Sequence, residues 1–205
     1  QIFVRTGNFD SDSLDEFIVT YLDDGDSVIC CIYDVDSTLQ ATQINRTPIA
    51  KVATLQAARF VRYYIQTADL NGDERDEIIF FTSESERQLD YVPIKMRIYS
   101  LENNIILPKG TEIIYALMAP DQLWEFVMGA VEGQFDNDYS DELFFSEVNQ
   151  CLTGSDVVRS ICNYILNVSE DLQTITTGTV YLNADYFPTT YVYTPFSIAT
   201  GDLNG

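Results

Sequence analysis

The chain contains no histidine, and this absence removes several kinds of catalytic and metal-binding site. Nucleophiles that histidine activates, such as Ser–His and Cys–His pairs, are excluded, and so is every zinc site with a histidine ligand. No run of eighteen apolar residues occurs either, so a membrane-spanning helix is not expected.

Basic residues are scarce: 11 lysines and arginines stand against 32 aspartates and glutamates, which gives a net charge of −21. A nucleic-acid partner is therefore not expected, because the chain has too few cations to neutralise phosphates. Direct binding to an anionic membrane surface is disfavoured for the same reason. The apolar share of 46% is that of a globular protein rather than a disordered one.

Cysteine is also sparse, with four residues and no Cys-x-x-Cys pair, so a zinc or dithiol redox motif is not expected. Cys151 and Cys162 are near enough in sequence to close a local disulfide in an oxidising compartment. Cys30 and Cys31 are adjacent and would point to opposite faces of a strand. Buried free thiols are the alternative interpretation for all four.

What the chain does have is a nine-residue acidic loop that occurs three times and begins a fourth time. The first loop is 8–16, the second 69–77 and the third 134–142, and a fourth begins at Asp202. Successive copies start 61, 65 and 68 residues apart. A period of this length is typical of repeat proteins.

Each complete loop places oxygen-bearing side chains at its first, third, fifth and ninth positions. Alternating oxygens on a tightly turned backbone converge on one point, which suits a hard cation with six to eight oxygen ligands, namely calcium. The seventh residue would add its backbone carbonyl, so its side chain is free to vary. The predicted metal ligands are Asn8, Asp10, Asp12, Leu14 and Glu16; Asp69, Asn71, Asp73, Arg75 and Glu77; Gln134, Asp136, Asp138, Ser140 and Glu142; and Asp202 and Asn204.

Two other interpretations of the loops compete with calcium binding. An EF-hand starts in a similar way but needs a glutamate at its twelfth position and a helix on each side. Here the acidic residue stands at the ninth position, and a β-branched and aromatic run follows, which predicts a strand. Ordinary Asp/Asn/Gly turns are common, but three copies in the same register favour calcium.

The loops resemble the calcium-binding motif of the FG-GAP/VCBS repeat family, in the stretches GDLNGDERDEIIFF, EGQFDNDYSDELFF and TGNFDSDSLDEFIV. The resemblance implies blades of an integrin-α-type β-propeller. The family usually has glycine at the sixth loop position, where this chain has Ser13, Glu74 and Tyr139. Its first position is often aspartate, here replaced by Asn8 and Gln134. Because these changes remove charge, the second site is expected to be the strongest and the third the weakest.

The predicted fold class is all-β: about three four-stranded antiparallel blades in a propeller-like repeat array. The predicted units are 1–7 as the last strand of a preceding blade, 8–68, 69–133 and 134–201 as three blades, and 202–205 as the start of a fourth loop. Within 48–65, a short helix or an insertion is an alternative to continuous β structure. Three blades do not close a ring, so we expect either part of a seven-bladed propeller, as the resemblance implies, or an open array.

The resemblance implies an extracellular, non-enzymatic role in structure, adhesion or recognition. Glycosylation sequons at Asn45 and Asn167 favour a secreted or cell-surface setting, and the chain reads as a segment of a longer protein. The expected partners are a protein or glycan ligand, or further copies of the chain. The alternatives are the accessory propeller of a polysaccharide-degrading enzyme, or a carbohydrate-binding module. For the latter the candidate residues are Tyr181, Tyr186, Phe187, Tyr191 and Tyr193.

Overall fold

The computed structural model describes residues 2–10, 12, 14–24, 27–51, 63–83, 92–118, 128–134, 138–153, 156–177 and 181–183. These residues form thirteen β-strands and no helix, and thus no helix that could cross a membrane, so the all-β prediction is confirmed. The strands are β1 Ile2–Gly7, β2 Glu16–Leu22, β3 Ser27–Val35, β4 Ala41–Lys51, β5 Tyr63–Ala68, β6 Glu77–Ser83, β7 Val92–Glu102, β8 Ile105–Met118, β9 Met128–Gly133, β10 Glu142–Thr153, β11 Asp156–Val168, β12 Ile175–Thr177 and β13 Tyr181–Asn183.

The strands form three antiparallel sheets that follow one another along the chain. Sheet 1 has the order β1-β2-β3-β4, and sheet 2 has the order β5-β6-β7-β8. Sheet 3 consists of β9 to β13, with both β12 and β13 paired to β11. The predicted array of three antiparallel sheets is therefore confirmed, whereas the number of blades in a ring stays a prediction.

Each sheet begins one strand earlier than the predicted unit boundaries. β1 pairs with β2 from Ile2↔Tyr21 to Gly7↔Glu16, so the first loop is the end of a hairpin within one sheet. β5 pairs with β6, and β9 with β10, around the second and third loops in the same way. The segment 1–7 is thus not the last strand of a preceding blade, and the boundaries at 8, 69 and 134 divide hairpins. The error arose because strand periodicity does not say which neighbour a strand pairs with.

Two apolar layers hold the three sheets together. The first layer lies between sheets 1 and 2 and includes Ile18 and Ile32 against Ile78 and Phe80. The second lies between sheets 2 and 3, where Phe81 stacks on Phe145 with ring centroids 5.2 Å apart and planes 4° apart. Since successive side chains of a strand point to opposite faces, the run from Ile78 to Phe81 contributes to both layers.

Hydrogen bonds also cross between the first strands of the three sheets. The Thr67 hydroxyl donates to the Thr6 carbonyl over 2.7 Å, and Arg5 Nε donates to Gln66 Oε1 over 3.1 Å. Gln66 in turn donates to Glu132 in the third sheet. Because β1, β5 and β9 lie side by side, the loops at their ends are brought to the same side of the array.

Cys30 and Cys31 lie together on one strand, whereas Cys151 and Cys162 lie on two paired strands. Cys30 and Cys31 are both buried free thiols on opposite faces of β3, and burial raises the pKa of Cys30 to about 12. In the register of β10 and β11, Cys151 lies opposite Val158, whereas Cys162 lies opposite Glu147. The two are four positions apart along the ladder, about 13 Å at about 3.3 Å per residue. A disulfide needs Cα atoms within about 7 Å, so this register does not support the predicted bridge.

Candidate metal centre

The first loop brings three of its predicted ligands together. One carboxylate oxygen from each of Asp10, Asp12 and Glu16 lies within 4.8 Å of the other two. Calcium binds oxygens at about 2.3–2.6 Å, so ligands on opposite sides of one ion lie up to about 5 Å apart. The three carboxylates are therefore spaced so that a single calcium ion could contact all of them.

Glu16 has the most enclosed carboxylate of these three ligands. Its side chain is fully buried at the start of β2, where Oε2 accepts a hydrogen bond of 2.8 Å from the Phe9 N–H. Its other oxygen, Oε1, is buried and accepts no hydrogen bond. Burial raises the pKa of Glu16 to about 7, against the Phe9 hydrogen bond and with help from the nearby Asp10 and Asp12 carboxylates. An ionised carboxylate is costly in such a place unless a cation pairs with it.

The three loops share one pattern of internal hydrogen bonds. The fifth-position aspartate accepts from the seventh backbone N–H in every loop: Asp12 from Leu14 over 2.6 Å, Asp73 from Arg75 over 3.0 Å and Asp138 from Ser140 over 2.9 Å. In the first two loops the third residue accepts from the fifth N–H, and the ninth-position glutamate accepts from the second. These Asx-type turns aim the alternate side chains toward the inside of each loop.

The second loop shares these backbone turns, but its carboxylates also accept hydrogen bonds from other groups of the protein. Asp69 accepts from the N–H groups of Gly72, Asp73 and Glu74, at 2.8 to 3.1 Å. Glu77 accepts from the Leu70 N–H, from Asn71 Nδ2 over 3.3 Å and from the Ser100 hydroxyl over 3.3 Å. The oxygens of this loop are therefore directed partly at protein donors.

An arginine also occupies the second loop. Arg75, at the seventh position, forms an ion pair of 2.8 Å with Asp73 Oδ2. The backbone carbonyl of Arg75 is a predicted ligand, but its side chain places a positive charge on the carboxylate of Asp73, which is another predicted ligand. Burial raises the pKa of Glu77 to about 8, against the Leu70 and Ser100 hydrogen bonds and with the Asp73 and Asp69 carboxylates raising it further. The ranking from charge, with the second site first, is thus not the ranking that the geometry favours, because a calcium ion here competes with Arg75.

A cavity of about 190 Å³ lies beside the second loop. Its wall includes Asn71, Asp73 and Glu77 from the loop, together with Lys109, which donates to Glu102. Polar side chains of both charges, Arg75 among them, form most of this wall, so the cavity suits a polar ligand better than an apolar one.

The backbone conformation of the second loop accounts for the glycine that the resemblance implies at its sixth position. Glu74 occupies the sixth position of the second loop with φ +67°, and Gly72 two residues earlier has φ +74°. Positive φ is the conformation that glycine adopts at no steric cost, which accounts for the glycine that the resemblance led us to expect at position six. A glutamate there costs roughly 1–2 kcal/mol of strain.

The third loop is described in part. Gln134 donates to the Asp138 carbonyl, as Asn8 does to the Asp12 carbonyl in the first loop. Glu142 is buried at the start of β10, like its equivalents Glu16 and Glu77. The other predicted ligands, Asp136 in this loop and Asp202 and Asn204 in the fourth, lie outside the described residues.

The eighth loop position is aspartate in all three copies, and the loop pattern did not predict a role for it. Asp76 links the second loop to the first: the Asn8 N–H donates to Asp76 Oδ2 over 2.9 Å, and the Asp76 N–H donates to the Asn8 carbonyl over 2.6 Å. The Asp141 N–H donates to the Asp69 carbonyl over 2.7 Å, which links the third loop to the second in the same way. We call this arrangement the interloop clasp.

The clasp is closely packed. A Cβ atom on Gly7 would come within 2.4 Å of Asp76 Oδ2, so glycine is needed at that position for the carboxylate to fit. Burial raises the pKa of Asp76 to about 6, against the Asn8 hydrogen bond and with the Asp141, Asp69 and Asp15 carboxylates raising it further. The signal in the sequence was the Asp-Glu pair that ends every loop, of which only the glutamate had been interpreted.

The two sequon asparagines lie on strands. Asn45 is on β4, where its Nδ2 donates to the Asn104 carbonyl of sheet 2 over 2.6 Å and its Oδ1 accepts from Thr47 over 2.8 Å. Asn167 is on β11, opposite Thr176. Whether either is glycosylated stays a prediction, and the Asn45 amide is already used in a contact between sheets.

No protein-family model, curated protein or solved structure that was compared with the chain matches it.

Proposed function

We propose that the chain is a calcium-binding segment of an extracellular β-sheet repeat protein, of the FG-GAP/VCBS kind that its loops resemble. The observation that carries the proposal is the first loop, where three carboxylates lie within 4.8 Å of one another. One of them, Glu16, has a fully buried oxygen that accepts no hydrogen bond. A divalent cation is the species that satisfies both features.

The role of calcium in this proposal is structural. The clasps join each loop to the next through Asp76 and Asp141, each beside a ninth-position glutamate. An ion in one loop therefore fixes the residues that hold the neighbouring loop, and the sheets are held at a set spacing. Such a scaffold serves adhesion, recognition or assembly, and it needs no catalytic group of its own.

Extracellular calcium suits sites of this kind. Extracellular modules bind calcium with dissociation constants of roughly 10⁻⁴ to 10⁻³ M, which is near the concentration outside cells. The carbohydrate-binding alternative receives no support from the described residues: of its aromatic candidates only Tyr181 is among them, in the short strand β13.

Calorimetric titration of calcium into the chain tests the proposal, with magnesium as the comparison ion. We expect at least one binding step for calcium in the 10⁻⁴ to 10⁻³ M range, and much weaker binding of magnesium, which demands tighter octahedral geometry. Glu16→Gln should remove the step assigned to the first loop. If the addition of calcium produces no heat of binding, the proposal is ruled out.

A further inference from the structure

A path of hydrogen bonds joins the buried glutamates of the first and second loops. Glu16 Oε2 accepts from the Phe9 N–H over 2.8 Å, and the neighbouring Asn8 N–H donates to Asp76 Oδ2 over 2.9 Å. The Asp76 N–H donates back to the Asn8 carbonyl over 2.6 Å, and Asp76 directly precedes Glu77 in the sequence. The path therefore runs from one predicted calcium ligand, Glu16, to another, Glu77.

The path is enclosed by the protein. Glu16, Phe9 and Glu77 are all buried. Gly7 packs on the carboxylate of Asp76 so closely that the contact leaves no room for a Cβ atom. In this packing, a displacement of the first loop is passed to Asp76 and through it to Glu77.

The second and third loops are joined in the same way. The Asp141 N–H donates to the Asp69 carbonyl over 2.7 Å, and the Asp69 backbone hydrogen-bonds the Asp141 carboxylate in return. Asp141 precedes Glu142, which is buried at the start of β10. Because the contact occurs at both junctions between loops, it belongs to the repeat rather than to one pair of loops.

We propose that Asp76 couples calcium binding in the first and second loops, so that an ion in either loop raises the calcium affinity of the other. The inference rests on the proposed function, because it needs calcium in both loops. Calcium that orders the ligands of one loop also orders the Asn8–Asp76 pair, so the other loop loses less conformational entropy when it binds its own ion. Asp76 acts here as a positioning residue, and linkage requires the two loops to help each other by the same factor.

Charge alone predicts the opposite sign. The first loop carries four carboxylates and no basic residue, so a bound calcium ion halves its negative charge. A filled first loop therefore attracts calcium to the second loop less strongly than an empty one does. Glu16→Gln keeps three of the four carboxylates and empties the loop of calcium. By charge alone, the second loop would bind calcium at least as tightly in this variant as in the wild type.

Calcium titration followed through the backbone amide signals of each loop measures the coupling. We expect the calcium affinity of the second loop to be about 5-fold to 100-fold lower in Glu16→Gln than in the wild type. The comparison is made at calcium concentrations that leave the first loop of the variant empty. A lower affinity in the variant has the sign that the clasp predicts and that charge does not.

Substitutions of Asp76 separate the clasp from the charge. Asp76→Ala removes the acceptor of the Asn8 N–H and should shrink the effect of Glu16→Gln on the second loop to about twofold or less, the value for independent sites. Asp76→Asn keeps an acceptor oxygen without the charge and should retain most of that effect. Asp15→Ala is the matched control, since Asp15 has the same loop position and is exposed, and it should retain the effect in full.

Hydrogen exchange in Glu16→Gln tests the same contact without changing Asp76. Calcium in the second loop should slow exchange of the Asn8 N–H, in the empty first loop, by about fivefold or more. The Asp23 N–H, which donates to the Ser27 carbonyl at the other end of β2, should not change. Thermal unfolding shows that each variant is folded. If Asp76→Ala does not fold, the exchange of the Asn8 N–H decides the question.

Four results would overturn the proposal. They are a second loop that binds calcium as tightly in Glu16→Gln as in the wild type, an effect of Glu16→Gln that survives Asp76→Ala, an effect that Asp15→Ala removes equally, and an Asn8 N–H whose exchange does not respond to calcium. Calcium that binds in one loop only also overturns it, while the proposed function stands. If no calcium binds in either loop, the proposed function itself fails.

Discussion

The first and second loops have nearly the same sequence pattern and different geometry. In the first, the carboxylates of Asp10, Asp12 and Glu16 converge, and the exposed Leu14 takes no part through its side chain. In the second, Arg75 binds Asp73 instead. The comparison teaches that the seventh residue, whose side chain the loop pattern leaves open, decides whether the protein itself places a cation beside the carboxylates of the loop.

The loops also differ in their place in the array. The second loop is clasped on both sides, through Asp76 to the first loop and through Asp69 to the third. The first loop is clasped on one side only, within the described residues. Under the proposed function, a loop that two of these clasps hold depends less on a metal than a loop that one of them holds, which agrees with the geometry of their carboxylates.

The largest effect should follow from removing the buried ligand of each loop in turn. Glu16→Gln keeps an oxygen for the Phe9 N–H and removes the charge. Removing a residue that only supports a metal ligand lowers metal affinity by roughly 10–100-fold. Removing the ligand Glu16 itself should therefore lower the calcium affinity of the first loop by more than that. Glu77→Gln should cost less, because protein donors already satisfy Glu77. Calcium titration of both variants measures the difference; equal losses would remove the distinction between the loops.

The second effect concerns the clasp. Asp76→Ala leaves the Asn8 N–H without its acceptor in a partly buried contact and should lower the free energy of unfolding by roughly 1–3 kcal/mol. Asp15→Ala makes the same substitution at the equivalent aspartate of the first loop, which is exposed. It should change the free energy of unfolding by less than about 0.5 kcal/mol. Denaturant unfolding of dilute protein compares the two. Equal values would mean that the clasp contributes nothing to joining the sheets.

The fold was largely predictable from the sequence where one face of a strand is buried. The strand that the sequence predicts directly after the first loop is the observed β2, Glu16–Leu22, because alternation and β-branched residues mark it clearly. The start of β4 at Ala41 is harder to predict, because Asp36 holds the turn before it through bonds to the Thr38 and Gln40 N–H groups.

The candidate site was predictable in composition but not in geometry. Spacing identified the ligands of each loop, since alternate residues of a turned backbone share one side. It could not show that Arg75 reaches Asp73, because an exposed arginine has many rotamers of similar energy. Nor could spacing reveal the clasp, since this depends on which strands lie side by side, and contacts between residues 68 positions apart leave no local pattern.

A third effect is the pH dependence of stability in calcium-free buffer. The pKa values of Glu16 and Glu77 are raised to about 7 and about 8, so both groups stabilise the fold while protonated. That stability is fully present below their unfolded pKa values of about 4.3 and is lost as pH rises through about 7 to 8. The melting temperature should therefore fall over this range. In saturating calcium the fall should be smaller, because the ion replaces the proton. A calcium-free melting temperature that rises from pH 5 to 8 would contradict the burial of these carboxyls.

The smallest effect should come from exchanging the seventh residues. Arg75→Leu removes the competing cation and should tighten calcium binding in the second loop by up to about fivefold, the value of an exposed ion pair. Leu14→Arg should weaken the first loop by a similar factor. Calcium titration of the two single variants and of the double variant shows whether the two loops have exchanged their calcium affinities. No change in either variant would mean that another feature separates the loops.

The most direct test of the account is thermal unfolding of the wild-type chain and of Glu16→Gln, each without calcium and with calcium at about 100 times its dissociation constant. That excess stabilises a folded protein by about 2.7 kcal/mol, which raises the melting temperature of a chain of this size by about 5–10 °C. We predict this rise for the wild type. For Glu16→Gln we predict a clearly smaller rise, starting from a calcium-free melting temperature no lower than that of the wild type, because a buried charge has been removed. Wild-type curves that coincide with and without calcium would contradict the account.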